Sequence, residues 1–422
     1  MKTFSEKGEK LLKALTEELA PFAGLRLGLA VSGGSDSRAL LELAHAWALR
    51  TGSELAVATV DHKLREAAAA EAKQVGAICL AMGIPHEVLV WEGWDRQGNL
   101  QAEARRARYR LVDDWASCGG IAAVALGHTA DDVAETFLMR LTRSAGVDGL
   151  AQMRPRFNRN GTVFVRPMLG MLRRDLQSFL REEGVDWIDD PSNVDTRFDR
   201  VKIREGLGQL GAMGLDTKKI AQSSAHLSAA SEALSYYAAK EAREIISTAD
   251  GDVQIDAERL QSLPSEMQRR LITASLAFVA PTDYAPRSRA VENLLPQLGD
   301  QAVATLGGCV LTLKGNEIRV MREASAATQI VRDPHDGVEW DQRWRIAGKF
   351  PTGSDVRALG EAGILQCPEW RETGRARRAL LASPSIWNGD TLVAAPLART
   401  ETNFTAIPLR DKEDLLRNIL SH

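Results

Sequence analysis

An α/β fold of the doubly wound, parallel-sheet type is predicted for the first half of this chain. A mostly helical domain and a small α+β C-terminal domain are predicted to follow. Three observations carry this. Continuous apolar runs at residues 27–31, 55–60, 88–91 and 122–126, with a shorter one at 163–165, alternate with amphipathic helical stretches such as 66–82 and 100–115. Uninterrupted apolar strands separated by helices belong to a parallel sheet covered on both faces. The first strand breaks off in a Gly-Gly turn that leads straight into a helix at 38–50. After Gly206 the alternation stops, which sets expected domains at 1–212, 213–325 and 326–422.

The first strand and its turn read Leu27-Gly-Leu-Ala-Val-Ser-Gly-Gly-Ser-Asp-Ser37. Strand, glycine turn and helix N-terminus together make an anion site, because backbone N–H groups and the helix dipole both favour negative charge. Gly33 and Gly34 let the backbone approach a phosphate with no Cβ between. Asp36 would repel phosphate unless a cation stood between them, which implies Mg2+. The turn lacks the Lys-Ser/Thr pair of a Walker loop. It resembles the Ser-Gly-Gly-x-Asp-Ser loop of the PP-loop ATP pyrophosphatases, which cut ATP between the α and β phosphates. On that resemblance Ser32, Gly33, Gly34, Ser35 and Ser37 cradle pyrophosphate and Asp36 holds the metal.

The second strand ends in Val60-Asp61-His62, where a carboxylate can reach a nucleotide's ribose or base as readily as it can face solvent. The basic stretch from Gly98 to Arg110 includes Arg105 and Arg106. The fourth strand runs into Gly127-His-Thr-Ala-Asp-Asp-Val-Ala-Glu-Thr136. His128, Asp131 or Asp132, and Glu135 are spaced to share one helical face, with Val133, Phe137 and Leu141 on another. Capping of the helix explains one such carboxylate; three beside a phosphate loop point to a cationic ligand. A polar segment at 190–204 starts with the turn-forming Pro-Ser-Asn and contains Arg200 and Arg204. Gly206-Leu-Gly-Gln-Leu-Gly211 matches a dinucleotide fingerprint, but no buried strand precedes it, so it reads as a flexible linker.

Beyond the linker, residues 220–246 read as one or two helices, and 265–298 as helical with breaks at Pro281 and Pro286. Residues 304–313 and 317–321 read as the two arms of a β-hairpin. The last region carries Trp340, Trp344, Trp370 and Trp387 among short strands.

Bulk properties narrow the classes. The chain has 422 residues, 44% hydrophobic and 26% charged, as in an ordinary soluble protein. No apolar run approaches the roughly 20 residues that cross a bilayer, so no membrane partner is expected. Cys79, Cys118, Cys309 and Cys367 are dispersed, which fits a reduced, cytoplasmic setting and argues against zinc. Net charge is −3, yet residues 140–174 hold eight basic residues against one acidic, Asp148. Such a local excess suits a phosphate backbone as well as it suits a solvated face.

In this order the motifs resemble the tRNA(Ile)-lysidine synthetase family, on residues 32–37, 60–65, 99–109, 127–136, 146–153 and 190–204. Two positions depart from the family pattern: Val201 stands in place of the usual Asn, and Thr129-Ala130 in place of a second His. The resemblance implies ligation of free L-lysine to C2 of the wobble cytidine of tRNA(Ile) with a CAU anticodon. The reaction would pass through an adenylated cytidine, using ATP and Mg2+ and releasing pyrophosphate and AMP. It implies catalytic roles for Asp36, His128, Asp132 and Glu135, and nucleotide contacts for the loop and Asp61. Asp131, Asp132 and Glu135 would hold lysine, and Arg105, Arg106, Arg200 and Arg204 phosphate oxygens. A homodimer is left open. The rival readings are a PP-loop tRNA thiolase, which needs positioned thiols, a small-molecule amidating ligase, and a tRNA-binding protein without catalysis.

Overall fold

The computed structural model describes residues 4–63, 67–92, 100–189, 199–281, 286–301, 303–399 and 402–421. Leu64-Arg65, Gly98-Asn99 and residues 190–198, all parts of motifs named above, lie outside them. The chain divides into two compact units, Met1–Ala230 and Ser231–His422.

The first unit runs α1 (Glu6–Leu19), β1 (Arg26–Ala30), α2 (Ser35–Thr51), β2 (Glu54–Asp61), α3 (Ala67–Ala81), β3 (His86–Val90), α4 (Leu100–Cys118), β4 (Ala123–Leu126), α5 (Ala130–Leu141), α6 (Val147–Leu150), β5 (Arg156–Arg159), β6 (Thr162–Val165), α7 (Arg173–Glu182) and α8 (Asp199–Ala212). α9 (Thr217–Ile245) runs across the boundary between the units. One sheet holds the strands in the order β3-β2-β1-β4-β6-β5. The first five are parallel, and β5 is antiparallel to β6.

Strand periodicity decides which residues meet which helices. Leu27, Leu29, Leu55, Val57, Ala123, Ala125 and Val165 pack with Leu40, Leu41, Trp47, Leu176 and Phe179 of α2 and α7. Their neighbours Ala58, Val124, Leu126 and Phe164 pack on the other face with Tyr109, Val112 and Ala116 of α4. Gly28 sits mid-strand because a Cβ there would lie 2.9 Å from the Trp115 ring.

Two expectations change in the first unit. The glycines at 206, 208 and 211 lie inside α8, so the segment is helical and no flexible linker. Each glycine costs roughly 1 kcal/mol there relative to alanine, and the ion pairs of Arg200 and Arg204 described below help to offset it. Strand β5 was not expected. Its turn, Asn160-Gly161, has φ of 49° and 96°, the paired positive values of a two-residue hairpin turn.

The second unit contains a five-stranded antiparallel sheet, β7 (Ile246–Ala249), β8 (Asp252–Asp256), β9 (Val303–Leu306), β10 (Cys309–Lys314) and β11 (Glu317–Arg322), in the order β7-β8-β11-β10-β9. The expected arm at 304–313 is thus two strands, split by Gly307-Gly308 with φ of 60° and 74°. Helices, among them Ser265–Val279, cover this sheet. A separate core forms around Trp340, Trp344, Ile386 and Trp387 in two three-stranded sheets.

Candidate active site

The sheet order reverses at β1 and β4, and ligands of such sheets bind outside the carboxyl ends of the strands at that point. The loop after β1 lies there. Gly33 has a φ of 90°, which a side chain resists, and a Cβ on it would come 2.5 Å from Ile188 Cδ1. The Ile188 amide donates to the Gly33 carbonyl at 2.9 Å. Ser37 Oγ folds back over the turn. It accepts from the amides of Ser32 and Gly33 at 3.2 and 3.1 Å and donates to the Gly34 carbonyl at 3.0 Å. The first-turn N–H groups of α2 have no intrahelical partner, and Gly34 provides no side-chain cap. Gly127, after β4, presses on this turn: a Cβ there would lie 3.2 Å from Ser37 N and Cα.

Two more helices begin beside the loop. α5 opens with a capping box in which Asp132 Oδ2 accepts from Thr129 N at 2.9 Å and Thr129 Oγ1 at 3.1 Å. Asp131 Oδ2 accepts the Arg173 amide at 2.7 Å, which ties α5 to the start of α7. The Arg173 side chain then joins three carboxylates. Its Nε donates to Asp36 Oδ2 at 2.8 Å, its Nη1 to Glu135 Oε1 at 3.2 Å, and its Nη2 lies 3.5 Å from Asp132 Oδ1. From α8, Arg204 Nε donates to Glu135 Oε1 at 2.9 Å, and Arg200 Nε lies 3.2 Å from Oε2. Glu135 is 1% exposed, while Arg173, Arg204 and Arg200 are 20%, 39% and 47% exposed. One buried carboxylate therefore serves three guanidiniums of graded accessibility.

The charges set the titration. Burial pushes the Asp36 carboxyl up, more than Arg173 pulls it down. Burial also acts on Asp132, but Arg173, His128, the Thr129 amide and Arg200 together hold it below the usual carboxylate range. The same carboxylates hold Arg173 above its ordinary value despite burial. Burial, with the charges of Arg166, Arg105 and Arg200, pushes His128 down to about 4, so its ring is neutral at pH 7; its Nδ1 is buried without a partner. Mg2+ takes one or two carboxylates and fills its other positions with phosphate oxygens and water. Asp36, a desolvated carboxylate at the phosphate loop, fits that donor set.

The structure brings together Asp36, Asp132, Glu135, Arg200 and Arg204, with His128 alongside. Asp131 and Asp132 are partly committed to the starts of α7 and α5. Asp61 is buried, and its Oδ1 accepts the Lys63 amide at 2.8 Å. Arg105 bonds Tyr109, and Arg106 lies 2.9 Å from Glu103 on the same helix. Val201 is buried between the two site arginines of α8. Sequence reasoning missed Arg173, which entered only as one charge in a basic run. Nothing local singles it out, since its role depends on α7 starting where α2 and α5 start.

A strand, a Ser-Gly-Gly-Ser-Asp-Ser turn and a helix at the switch point of a parallel sheet define the PP-loop class of ATP-binding domains, and the family model described as a PP-loop domain matches residues 5–210. A tRNA(Ile)-lysidine synthase of Ruegeria pomeroyi is 46% identical over 94% of both chains. One of Brucella anthropi is 34% identical over 86% of this chain and 84% of its own. Among solved structures, a U34-tRNA thiolase from Methanococcus maripaludis aligns at 15% identity and a TM-score of 0.45, over 52% of this chain and 80% of its own. The chain belongs to the tRNA(Ile)-lysidine synthase family: it is an ATP-using ligase of tRNA processing.

Proposed function

We propose that this enzyme joins free lysine to C2 of the wobble cytidine in tRNA(Ile) with a CAU anticodon, in two steps. The observation that carries the reading is the set Asp36, Asp132 and Glu135 at the mouth of a phosphate loop, closed by Arg173, Arg200 and Arg204. Pyrophosphate chemistry alone requires the loop. A buried carboxylate set beside it suits a cationic second substrate.

In the first step the cytidine O2 attacks the α-phosphorus of ATP. The bond to the α–β bridging oxygen breaks, and pyrophosphate leaves. The first-turn amides of α2, with Ser32 and Ser35, stabilise the charge gathering on it. Asp36 would hold Mg2+, which supplies further neutralisation of that charge. In the second step the lysine ε-amine attacks C2, the C2–O bond breaks, and AMP leaves with the oxygen. Free lysine is mostly protonated at neutral pH, with a reference pKa of about 10.4. Asp132 and Glu135 receive an ammonium group of lysine as the more exposed Arg200 and Arg204 turn toward phosphate oxygens. Asp132, Glu135 and His128 are the groups within the site able to take the proton. Residues 213–325 and 326–422 are proposed to grip the body of the tRNA.

The test is incorporation of radiolabelled lysine into a tRNA(Ile) transcript. We expect labelling that needs ATP and yields AMP and pyrophosphate; no labelling with all substrates present overturns the reading. All four cysteines are unpaired, and burial pushes Cys79 up to about 11 and Cys309 up to about 12. These thiols are poorly suited to sulfur transfer. Replacing Cys118 by Ser and the other three by Ala therefore preserves labelling, whereas a thiolase would be inactivated.

A further inference from the structure

Seven arginines of the first unit differ in how they are held. Arg173, Arg200 and Arg204 are paired with carboxylates, and Arg106 with Glu103. None of the ion pairs among the described residues includes Arg105, Arg140 or Arg166. Aromatic rings and backbone carbonyls hold them instead. The Arg166 guanidinium lies 4.3 Å from the Phe157 ring centroid, and that ring stacks on Phe164 at 5.1 Å. Arg105 lies 5.2 Å from the Tyr109 centroid and bonds the phenol oxygen at 3.3 Å. Arg166 Nη1 donates to the Arg154 carbonyl at 2.7 Å, and Arg140 Nη1 to the Gly149 carbonyl at 2.8 Å.

Such a cluster of like charges is unfavourable by itself. Arg166 is 8% exposed, and its buried Nε has no hydrogen-bond partner. Burial lowers the pKa of both Arg140 and Arg166, and the charge of Arg105 lowers both further. His128, whose buried Nδ1 also lacks a partner, feels Arg166 and Arg105 directly. Guanidiniums set on aromatic faces, unneutralised and partly desolvated, are prepared for phosphate oxygens.

Extent selects the ligand. Arg140 lies in the last turn of α5, ten residues beyond the start of that helix, or about 15 Å along its axis. The row from His128 outward to Arg140 therefore leads away from the loop that takes the pyrophosphate of ATP. We propose that Arg105, Arg140 and Arg166 hold the sugar-phosphate backbone flanking the nucleotide to be modified, and not ATP. This rests on the reading of the chain as an enzyme acting on tRNA. It assigns these three arginines to the RNA track and leaves Arg106, Arg200 and Arg204 outside it.

The test uses full-length protein and an anticodon stem-loop RNA in two forms, one natural and one with neutral methylphosphonates flanking the wobble nucleotide. RNA affinity is measured by fluorescence anisotropy at several salt concentrations, and ATP affinity by equilibrium dialysis. Arg105→Ala and Arg140→Ala are expected to weaken binding of the natural RNA about tenfold each and to flatten its salt dependence by somewhat under one unit of slope per lost phosphate contact. The penalty should vanish with the neutral RNA, and ATP affinity should stay within twofold. Arg105→Lys, which keeps the charge, should recover part of the loss. A penalty that persists unchanged on the neutral RNA, or an ATP affinity that falls while RNA binding holds, overturns the assignment. Lysine incorporation by the unaltered enzyme is followed in parallel. If it fails while the RNA results hold, the proposed reaction is wrong and the backbone track stands.

Discussion

At the level of single residues, Asp132 has two duties that substitution can separate. It caps α5 through the Thr129 amide, and its charge faces Arg173 and Arg200. Asp132→Asn keeps an acceptor for the cap and removes the charge. It should retain the cap's share of thermal stability while kcat/KM for lysine falls more than tenfold. Asp132→Ala should lose about 1 kcal/mol of stability as well, and the two variants compared by calorimetry and lysine titration check this. Glu135→Gln takes one carboxylate charge away from three guanidiniums, of which Arg173 and Arg200 keep Asp132. Removing one partner of a buried pair costs about 3 to 5 kcal/mol, and the accessibility of these arginines places this case at the low end or below it. A second residue-level prediction concerns acid. His128 and His62 are each pushed down to about 4, chiefly by burial. Their folded pKa values lie below the unfolded value near 6.5, so the unfolded chain binds protons first. Stability is full above pH 6.5 and falls as pH drops toward 4. Denaturant titrations at pH 7 and 5 should show the loss, and His62→Gln should reduce it. The site carboxylates were legible because charged residues at helical spacing beside a glycine loop have few uses; Arg200 and Arg204 were assigned only through the family resemblance, since their segment reads locally as a turn and not as the helix it forms. Arg173 was not, since its three partners come from segments distant in sequence.

At the level of elements, the start of α2 is held by close approaches that alanine cannot share. In Gly127→Ala the new methyl meets backbone, Ser37 N and Cα at 3.2 Å, and backbone cannot swing away as a side chain can. ATP affinity should fall at least tenfold with the overall fold intact, which dialysis and circular dichroism would show. The parallel strands and their helices were legible because buried strands are continuous apolar runs. The antiparallel hairpins were harder to read. Asn160-Gly161, Asp250-Gly251 and Gly307-Gly308 all have positive φ at both positions, so each is a turn signal written in the sequence. Their flanking strands are only four to six residues long and partly polar, so no strong alternation announces them. The glycines of α8 misled for a different reason: local propensity was overridden by tertiary contacts of Arg200, Val201 and Arg204.

At the level of the whole molecule, the two units have separate cores. In the second, a buried network links the β7–β8 turn to the tryptophan-rich region. Arg343 Nη2 donates to the Gly251 carbonyl at 3.2 Å and lies 4.0 Å from Asp252 Oδ1, while Arg322 Nε donates to Asp341 Oδ2 at 3.0 Å. Separate cores predict separable unfolding. A nonhydrolysable ATP analogue at about 100 times its Kd should stabilise the first unit by about 2.7 kcal/mol and leave the second unit's transition in place. Arg343→Ala should do the reverse, lowering only the second transition. A single transition that shifts as one body in both experiments would contradict independent cores.

Ser37 has one further consequence. Its hydroxyl stands where an incoming oxygen would otherwise have to organise the Ser32 and Gly33 amides, so the loop keeps its shape by itself. Little rearrangement is then left for the moment of capture. Observed association rates in stopped flow should climb linearly with ATP concentration without levelling off, and Ser37→Ala should introduce a plateau as the slack turn waits to reform.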